Sequence, residues 1–274
     1  MSDAPTAANQ TPPPGDPDED AQTALSRGRL TGDRPYARYA RRFWRMLPTS
    51  PRCKMCTSPF GGPLAPLMRA IGKGPWPNNP RYCGGCFKSL MTHRSGAEVE
   101  CSLLFADVRG STEMAEHMRP SDFRTLMDRF YTIASDRLVE HEAIVDKFVG
   151  DEVVAIFIPG LTGGRHAAQA IGAGRALLAA VGPGRTVELP IGIGVNTGVA
   201  YVGAVGTDEH VELSAMGDPV NVAARLASAA GPGELLVSAA SARSARLVDA
   251  GWEHRRLDLK GKSEPVEAWV VPSH

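Results

Sequence analysis

The chain has 274 residues, enough for one catalytic domain and one small additional domain. Its 30 lysines and arginines balance its 30 aspartates and glutamates, so the total charge indicates no particular partner and no nucleic acid is expected. No apolar run could span a bilayer and the polar N-terminus is no signal peptide, so we expect a cytoplasmic protein.

The first segment, residues 1–33, is predicted to be a disordered tail. Residues 2–20 are rich in proline, aspartate and alanine and contain no lysine or arginine. Such a composition offers too little apolar surface to offset the entropy lost when a chain becomes ordered.

The second segment, residues 34–50, is predicted to contain a basic amphipathic helix. Apolar and aromatic side chains recur at helical spacing on one face: Tyr36, Tyr39, Ala40, Phe43, Trp44 and Leu47. We expect this face to pack on the next segment or on a partner subunit, with the arginines solvated. Contact with an anionic membrane surface is the alternative.

The third segment, residues 51–95, is predicted to hold a metal ion. It carries two Cys-x-x-Cys pairs, which together supply the four thiolates of a tetrahedral site: Cys53, Cys56, Cys83 and Cys86. The residues between the pairs are rich in glycine and proline and offer little core, so a metal cross-link is favoured over disulfides in a reducing compartment. Zinc is the favoured metal and an iron–sulfur cluster is the alternative. Cys101 is set apart and is expected to be a buried core thiol.

The stretch from Val99 to Thr112 is predicted to be a buried strand followed by a turn. Alternating apolar residues end at Asp107, where the backbone leaves the strand. Gly110 allows an unusual dihedral or a close approach to a ligand, and Ser111 and Thr112 can cap a helix. A carboxylate followed by free backbone N–H groups suits a metal bound to phosphates.

A second acidic turn is predicted within residues 143–158. Two apolar runs flank Gly150 and Asp151, which is the pattern of a hairpin. Asp107 and Asp151 would each lie on a turn that leaves a buried strand. Two such aspartates could hold two divalent cations for phosphoryl transfer.

The other elements predict an antiparallel sheet with helices on one face, an α+β fold. We predict helices at 113–117, 120–138, 164–181, 218–230 and 239–247, and strands at 187–196, 198–205, 234–237, 252–257 and 266–271. The strands at 187–196 and 198–205 are expected to form a pair, and the last two strands a hairpin.

Four short motifs resemble the class III nucleotide cyclase catalytic domain. They are Phe105-Ala-Asp-Val-Arg-Gly-Ser-Thr112, Lys147-Phe-Val-Gly-Asp151, Met216-Gly-Asp-Pro-Val-Asn-Val-Ala-Ala-Arg225 and Leu259-Lys-Gly-Lys262. Their order and gaps fit that family, and the domain is assigned to residues 96–274. The resemblance implies a ferredoxin-like βααββαβ core and an enzyme that converts a nucleoside triphosphate to a 3′,5′-cyclic monophosphate and pyrophosphate for signal transduction.

The resemblance also implies roles for individual residues. Asp107, Asp151 and the carbonyl of Val108 would coordinate two Mg²⁺ or Mn²⁺ ions. The phosphates would lie against Gly110, Ser111 and Thr112. Asn221 would orient the ribose, and Arg225 would stabilise charge on the pentavalent phosphorus. The residues expected to bind the terminal phosphates are Lys260 and Lys262.

Base choice depends on Lys147 and Ser214. In this family a lysine at the position of Lys147 selects adenine, because the lysine can donate a hydrogen bond to adenine N1 but is repelled by the N1–H of guanine. A serine at the second position can accept from the adenine amino group or donate to the guanine carbonyl. The resemblance therefore implies an adenylate cyclase that uses ATP, with guanylate or mixed specificity as the alternative.

The resemblance implies a homodimer with shared active sites. In the family the metal ligands come from one subunit, and the base-selecting and transition-state residues come from the other. All of these positions occur in this one chain, which predicts two complete sites at a two-fold interface. The non-enzymatic alternative is a cyclase-like nucleotide-binding module with a regulatory metal segment.

Overall fold

The computed structural model describes residues 27–28, 30–31, 36–47, 49, 51–53, 55–77, 79–92, 96–206, 211–247, 251–259, 262 and 264–272. Most of the predicted disordered tail and Lys260 lie outside these residues. At the end of that tail residues 27–28 and 30–31 are helical. Leu30 is only 7% exposed, because it packs against the main sheet.

Nine further α-helices are formed by the described residues from Tyr36 onward. They are α1 (Tyr36–Arg45), α2 (Ala65–Ala70), α3 (Gly84–Thr92), α4 (Ser111–His117), α5 (Pro120–Glu140), α6 (Pro159–Thr162), α7 (His166–Val181), α8 (Asp218–Ala229) and α9 (Ala239–Ala245). The start of α5 at Pro120 follows from the fixed φ of proline, which suits the first turn of a helix. Five of these helices confirm those expected in the catalytic domain, with ends shifted by a few residues.

The strands form one small and one large sheet. They are β1 (Pro75–Trp76), β2 (Asn79–Cys83), β3 (Ala97–Val108), β4 (Ile144–Val149), β5 (Glu152–Phe157), β6 (Ile191–Gly206), β7 (Val211–Met216), β8 (Leu235–Ser238), β9 (Glu253–Leu257) and β10 (Val266–Val271). Strands β1 and β2 pair with each other. The large sheet has the order β4-β5-β3-β6-β8-β10-β9, with β7 also paired to β6. All pairs are antiparallel except β6 with β8.

The predicted α+β fold is confirmed, and its first core lies between the sheet and three helices. Central strand β3 directs Leu104, Ala106 and Val108 to this side. Helices α5, α7 and α9 cover it with apolar residues such as Phe130 and Leu177, both fully buried. This packing fixes the end of β3, which carries Asp107.

The opposite face of the sheet carries a second core. Strand β3 supplies Cys101 and Leu103 to it, and Cys101 is fully buried as expected. Strand β7, helix α8 and parts of the four-cysteine segment cover this face. Helix α8 lies directly on β6, since a Cβ atom at Gly194 would be 2.2 Å from the backbone nitrogen of Ala227.

The predicted strand pair at 187–196 and 198–205 is wrong, because β6 is one continuous strand. The Asn-Thr-Gly sequence at 196–198 resembles a turn, yet all three residues pair with β3. Asn196 donates to the Pro219 carbonyl at 3.0 Å, and the Thr197 hydroxyl lies 2.6 Å from that of Ser102. These partners let polar residues remain inside a buried strand.

Part of the predicted apolar face of the basic helix does not pack within this chain, and the expectation of solvated arginines is wrong for Arg41. Tyr39 and Phe43, assigned to the packed face, are 72% and 58% exposed. Arg41 is fully buried and donates to the carbonyls of Met55 and Ala143. Helix α1 therefore docks partly through a buried arginine, whose guanidinium donates to two backbone carbonyls.

Among the described residues, no helix is both long enough and apolar enough to cross a lipid bilayer.

Candidate active site

Two predicted acidic residues lie at the same end of the central strands. Asp107 is at the end of β3 and pairs in register with Glu152 at the start of β5. Asp151 precedes Glu152 in the tight turn after β4, where Gly150 adopts a φ of 62°. Tyr131 of α5 donates its hydroxyl to the Gly150 carbonyl and so anchors this turn.

The charges at this end of the sheet are unbalanced. Partial burial and the neighbouring Asp151 raise the pKa of Asp107 to about 6. Burial, Asp107 and Asp151 raise the pKa of Glu152 as well. Arg109 donates to Asp107 Oδ2 at 2.9 Å and opposes the rise in the pKa of Asp107. Three carboxylates beside one guanidinium form an acidic site that a cation would stabilise.

The turn after Asp107 has the space for a ligand. Gly110 has a φ of 71° and precedes α4, and a Cβ atom there would meet no other atom within 4 Å. Ser111 donates its hydroxyl to Asp151 Oδ2 at 2.5 Å and joins the two acidic turns. Val108 is buried and pairs with Ile191, while Thr112 is exposed. The donor set of carboxylate and carbonyl oxygens is the type that Mg²⁺ and Mn²⁺ prefer.

Strands β4 and β7 meet through a polar contact on the second face of the sheet. The Ser214 hydroxyl of β7 donates to Asp146 Oδ2 of β4 at 2.8 Å. Asp146 is 3% exposed, whereas Ser214 is half-buried. Lys147 follows Asp146 and is exposed. The structure therefore places Ser214 against Asp146, the residue that directly precedes Lys147.

Asn221 and Arg225 lie one turn apart on α8, as expected. Asn221 is exposed and Arg225 is half-buried. Within the described ranges Arg225 has no ion pair or hydrogen bond. Lys262 forms an ion pair of 2.6 Å with Asp218 at the start of α8, so one of the two expected phosphate-binding lysines already has an acidic partner.

The candidate residues form three separate groups in one subunit. These are the acidic pair (Asp107 with Asp151), the β4–β7 group (Asp146, Lys147 and Ser214) and the α8 pair (Asn221 with Arg225). Among the described residues, no hydrogen bond or ion pair joins side chains of two different groups. Residues of all three groups are partly or fully exposed, so a second subunit could approach them.

The four cysteines of the N-terminal segment converge on one point. Their sulfur atoms all lie within 4.8 Å of one another, and those of Cys56 and Cys83 are 3.6 Å apart. The Cys83 amide also donates to Cys53 Sγ at 3.2 Å. Hydrogen bonds from the other three thiols lower the pKa of Cys53. We call this cluster the four-cysteine centre.

Sequence reasoning missed three side chains around these groups. Arg109 and Asp146 are next to predicted site residues, and that adjacency was the only available signal. Tyr82 was not singled out, because the contact of its hydroxyl with the Leu213 amide spans 131 positions of sequence.

Comparison with known families identifies the larger part of the chain. Residues 94–272 match the family model described as the adenylate and guanylate cyclase catalytic domain. The match contains every motif on which the sequence resemblance rests and leaves out the four-cysteine centre.

Curated relatives and solved structures agree with this match. The chain is 34% identical over 175 residues to the uncharacterized protein Rv1318c of Mycobacterium tuberculosis, covering 62% of this chain and 32% of that protein. It therefore matches about a third of the length of such relatives. The crystal structure of the adenylyl cyclase CyaB from P. aeruginosa superposes with a TM-score of 0.58 and 29% identity, covering 66% of this chain and 97% of that one. The guanylyl cyclase Cya2 superposes with a TM-score of 0.60 and 25% identity, over 65% and 93% of the two chains.

Proposed function

Because the chain belongs to the adenylate and guanylate cyclase catalytic domain family, we propose that it converts ATP to 3′,5′-cyclic AMP and pyrophosphate. The acidic pair carries this proposal. Two aspartates beside Glu152, with the pKa of Asp107 raised to about 6, form a site that is unfavourable without a cation. Perturbed carboxylates in an accessible site are typical of catalytic rather than structural positions.

The acidic pair would bind two divalent cations. Asp107, Asp151 and the carbonyl of Val108 are the proposed ligands of Mg²⁺ or Mn²⁺. When bound, the ions would supply the positive charge that lowers the pKa of the ribose 3′-hydroxyl and neutralises the triphosphate. Ser111 orients Asp151, and Arg109 balances part of the charge on Asp107. The backbone amides around Gly110, Ser111 and Thr112 would donate to phosphate oxygens.

The β4–β7 group would select adenine. Lys147 is exposed and would donate to adenine N1. Since Ser214 donates its only hydroxyl proton to Asp146, its oxygen presents lone pairs that would accept from the adenine amino group. The carbonyl of guanine needs a donor at this position and would find an acceptor instead. Asp146 therefore supports ATP over GTP.

The α8 pair would act on the ribose and the reacting phosphorus. Asn221 would hydrogen-bond the ribose and orient its 3′-hydroxyl toward the α-phosphorus. Arg225 would donate to the phosphoryl oxygens as charge develops on them, an interaction that lowers the activation barrier. Lys262 would have to leave Asp218 in order to contact the terminal phosphates, and Lys260 is the other proposed contact.

We place the complete site between two subunits of a homodimer. The three groups share no hydrogen bond or ion pair in one described subunit, which fits a site completed by a second copy. Exposed apolar side chains on β4, β6 and β7 would contribute apolar contacts to such an interface: Phe148, Val149, Val199 and Met216. A two-fold axis would repeat the same contact and produce two equivalent sites.

Identification of the cyclic product tests the proposed reaction. Purified protein with Mn²⁺ is given ATP or GTP, and the nucleotides are separated by chromatography. We expect cyclic AMP from ATP, little cyclic GMP, and no product from Asp107→Asn. Comparable yields of cyclic GMP would contradict the adenine assignment. No product from a folded dimer would favour a nucleotide-binding module over an enzyme.

A second part of the proposal concerns the four-cysteine centre. We propose that it holds one structural Zn²⁺ ion, because four thiolates in tetrahedral coordination lie about 3.8 Å apart when each zinc–sulfur bond is about 2.3 Å. The separation of 3.6 Å between Cys56 and Cys83 fits this spacing. Elemental analysis should give about one zinc per chain and no iron. Iron in the analysis, together with absorption of visible light, would indicate an iron–sulfur cluster instead of zinc.

A further inference from the structure

The four-cysteine centre is connected to both strands that carry the proposed base-contacting residues. Its second cysteine pair lies at the junction of β2 and α3, and its first pair lies in the loop after α1. Each pair has its own contact with the catalytic domain. Neither contact belongs to the proposed active site itself.

The second pair is linked to β7 through Tyr82. Tyr82 directly precedes Cys83 and is fully buried. Its hydroxyl accepts a hydrogen bond of 3.1 Å from the backbone amide of Leu213, and Leu213 directly precedes Ser214. Phe87 of α3 stacks on Trp76 with a centroid distance of 5.3 Å and packs into the same core as Leu213.

The first pair is linked to β4 through Arg41. The guanidinium donates to the carbonyl of Met55, between Cys53 and Cys56, at 2.6 Å. Its other amino group donates to the carbonyl of Ala143, directly before β4. Asp146 and Lys147 follow on the same strand, so one buried arginine joins the first pair to the strand that carries them.

We propose that a metal ion in the four-cysteine centre fixes the spacing of β4 and β7 and thereby sets the affinity and base preference of the nucleotide site. This inference rests on the proposed function. The ion would connect the two cysteine pairs, and each pair is linked to one of the two strands, through Tyr82 to β7 and through Arg41 to the start of β4. The cysteines share a small cluster with Phe60 and Met55, so removal of the ion should loosen the connection between the two pairs.

Nucleotide binding with and without the ion tests the inference. Full-length dimer is stripped with a chelator under reducing conditions, and one equivalent of Zn²⁺ or Co²⁺ is restored. The thiolate absorption of Co²⁺ reports occupancy of the centre independently of activity. Affinities for 3′-deoxy-ATP and 3′-deoxy-GTP are measured by calorimetry with Mg²⁺, because these analogues cannot be cyclised.

We expect removal of the ion to weaken 3′-deoxy-ATP binding about three- to tenfold, the effect of one or two lost hydrogen bonds. Binding of 3′-deoxy-GTP should change less, so the preference for adenine falls. Unchanged affinities in a folded, metal-free dimer, or failure of the centre to bind Zn²⁺ or Co²⁺, would overturn the inference. If metal removal shifts the affinities but the protein makes no cyclic product from ATP, the inference about the four-cysteine centre is supported. The proposed reaction is then contradicted.

A pair of tyrosine variants tests the contact itself. Tyr82→Phe removes only the hydroxyl that accepts from Leu213. Tyr201→Phe is the matched control, since the Tyr201 hydroxyl accepts from the Gly96 amide at 2.8 Å in the same manner but contacts neither cysteine pair. Tyr82→Phe should lower the adenine preference in the metal-bound protein and add nothing after metal removal. If Tyr82→Phe and Tyr201→Phe change the adenine preference equally, the role of Tyr82 as a positioning residue is overturned.

Discussion

Ser214 shows how one neighbouring residue defines the chemistry of a hydroxyl group. A serine can donate or accept, so its identity alone does not distinguish adenine from guanine. The carboxylate of Asp146, 3% exposed and 2.8 Å away, accepts the serine proton. This contact could not be predicted from the sequence, because it requires β7 to fold over the face of the sheet near β4.

Asp146→Asn should therefore reduce the preference for ATP. The amide can donate to Ser214, which would turn the hydroxyl proton toward the base and favour the guanine carbonyl. We expect the ratio of kcat/KM for ATP and GTP to fall about tenfold, the effect of about 1.4 kcal/mol. Steady-state assays of both nucleotides give this ratio.

Ser214→Ala and the double variant are the controls for Asp146→Asn. If Asp146 acts through the serine, the double variant should show about the same ratio as Ser214→Ala alone. Additive effects, or an unchanged ratio in Asp146→Asn, would contradict the orienting role.

Asp107 illustrates a residue whose environment opposes its charged form. Its pKa is raised from 3.8 to about 6, so the fold favours the neutral carboxyl. The neutral Asp107 carboxyl contributes to the free energy of unfolding at low pH, and this contribution is lost as the pH rises through about 6. Above that pH the metal-free protein contains an unfavourable carboxylate.

Asp107→Asn should stabilise the metal-free protein at pH 7.5. We expect an increase in the free energy of unfolding of roughly 1–2 kcal/mol. Each pKa unit corresponds to about 1.4 kcal/mol, and this amount is reduced by solvent screening of the partly exposed carboxyl and by loss of the ion pair with Arg109. Urea denaturation of the wild type and the variant in the presence of EDTA measures the free energy of unfolding. The difference between the two proteins should be smaller at pH 5 than at pH 7.5. Added Mn²⁺ should stabilise the wild type but not the variant. A variant less stable than the wild type at pH 7.5 with EDTA would contradict this interpretation.

At the scale of elements, helix α1 has the most unexpected arrangement. Burial lowers the pKa of Arg41, while the nearby Glu142 opposes that change. Glu142 also forms an ion pair of 2.7 Å with Arg45. The two arginines hold the helix against the end of α5 and the start of β4. Helical spacing of aromatic residues therefore does not identify the buried face when carbonyls and a carboxylate lie opposite the helix.

Arg41→Met should destabilise the protein much more than Arg42→Met. The first change leaves the carbonyls of Met55 and Ala143 without their buried donor, for which we expect a loss of roughly 2–4 kcal/mol. Arg42 is exposed on the same helix, so its substitution should change the free energy of unfolding by less than about 0.5 kcal/mol. Urea denaturation compares the two. A similar small effect for both would show that the buried contacts of Arg41 do not stabilise the fold.

The elements also show how far sequence patterns reach. The alternation before Asp107 and the apolar runs around Gly150 predicted both acidic turns, because each depends on neighbours in the chain. The continuity of β6 through Asn196 and Thr197 was not predictable in this way. It depends on Ser102 and Pro219, which satisfy those side chains from other elements.

At the scale of the whole molecule, the proposed active site would need a second subunit to bring the three groups of candidate residues together. Within the described part of one chain, neither of the other groups reaches the acidic pair through a hydrogen bond or ion pair. In the proposed dimer, each site would combine the acidic pair of one subunit with the β4–β7 group and the α8 pair of the other. The exposed Phe148 and Met216 lie beside these groups and would be buried there.

The most direct test of this arrangement mixes two inactive variants. Asp107→Ala removes a proposed metal ligand and Arg225→Ala removes the proposed transition-state donor, so each homodimer should make almost no cyclic AMP. In an equal mixture half of the dimers are mixed, and each contains one intact site, so about a quarter of the wild-type activity should return. No recovery from two folded variants that exchange subunits would contradict a shared adenylate cyclase site.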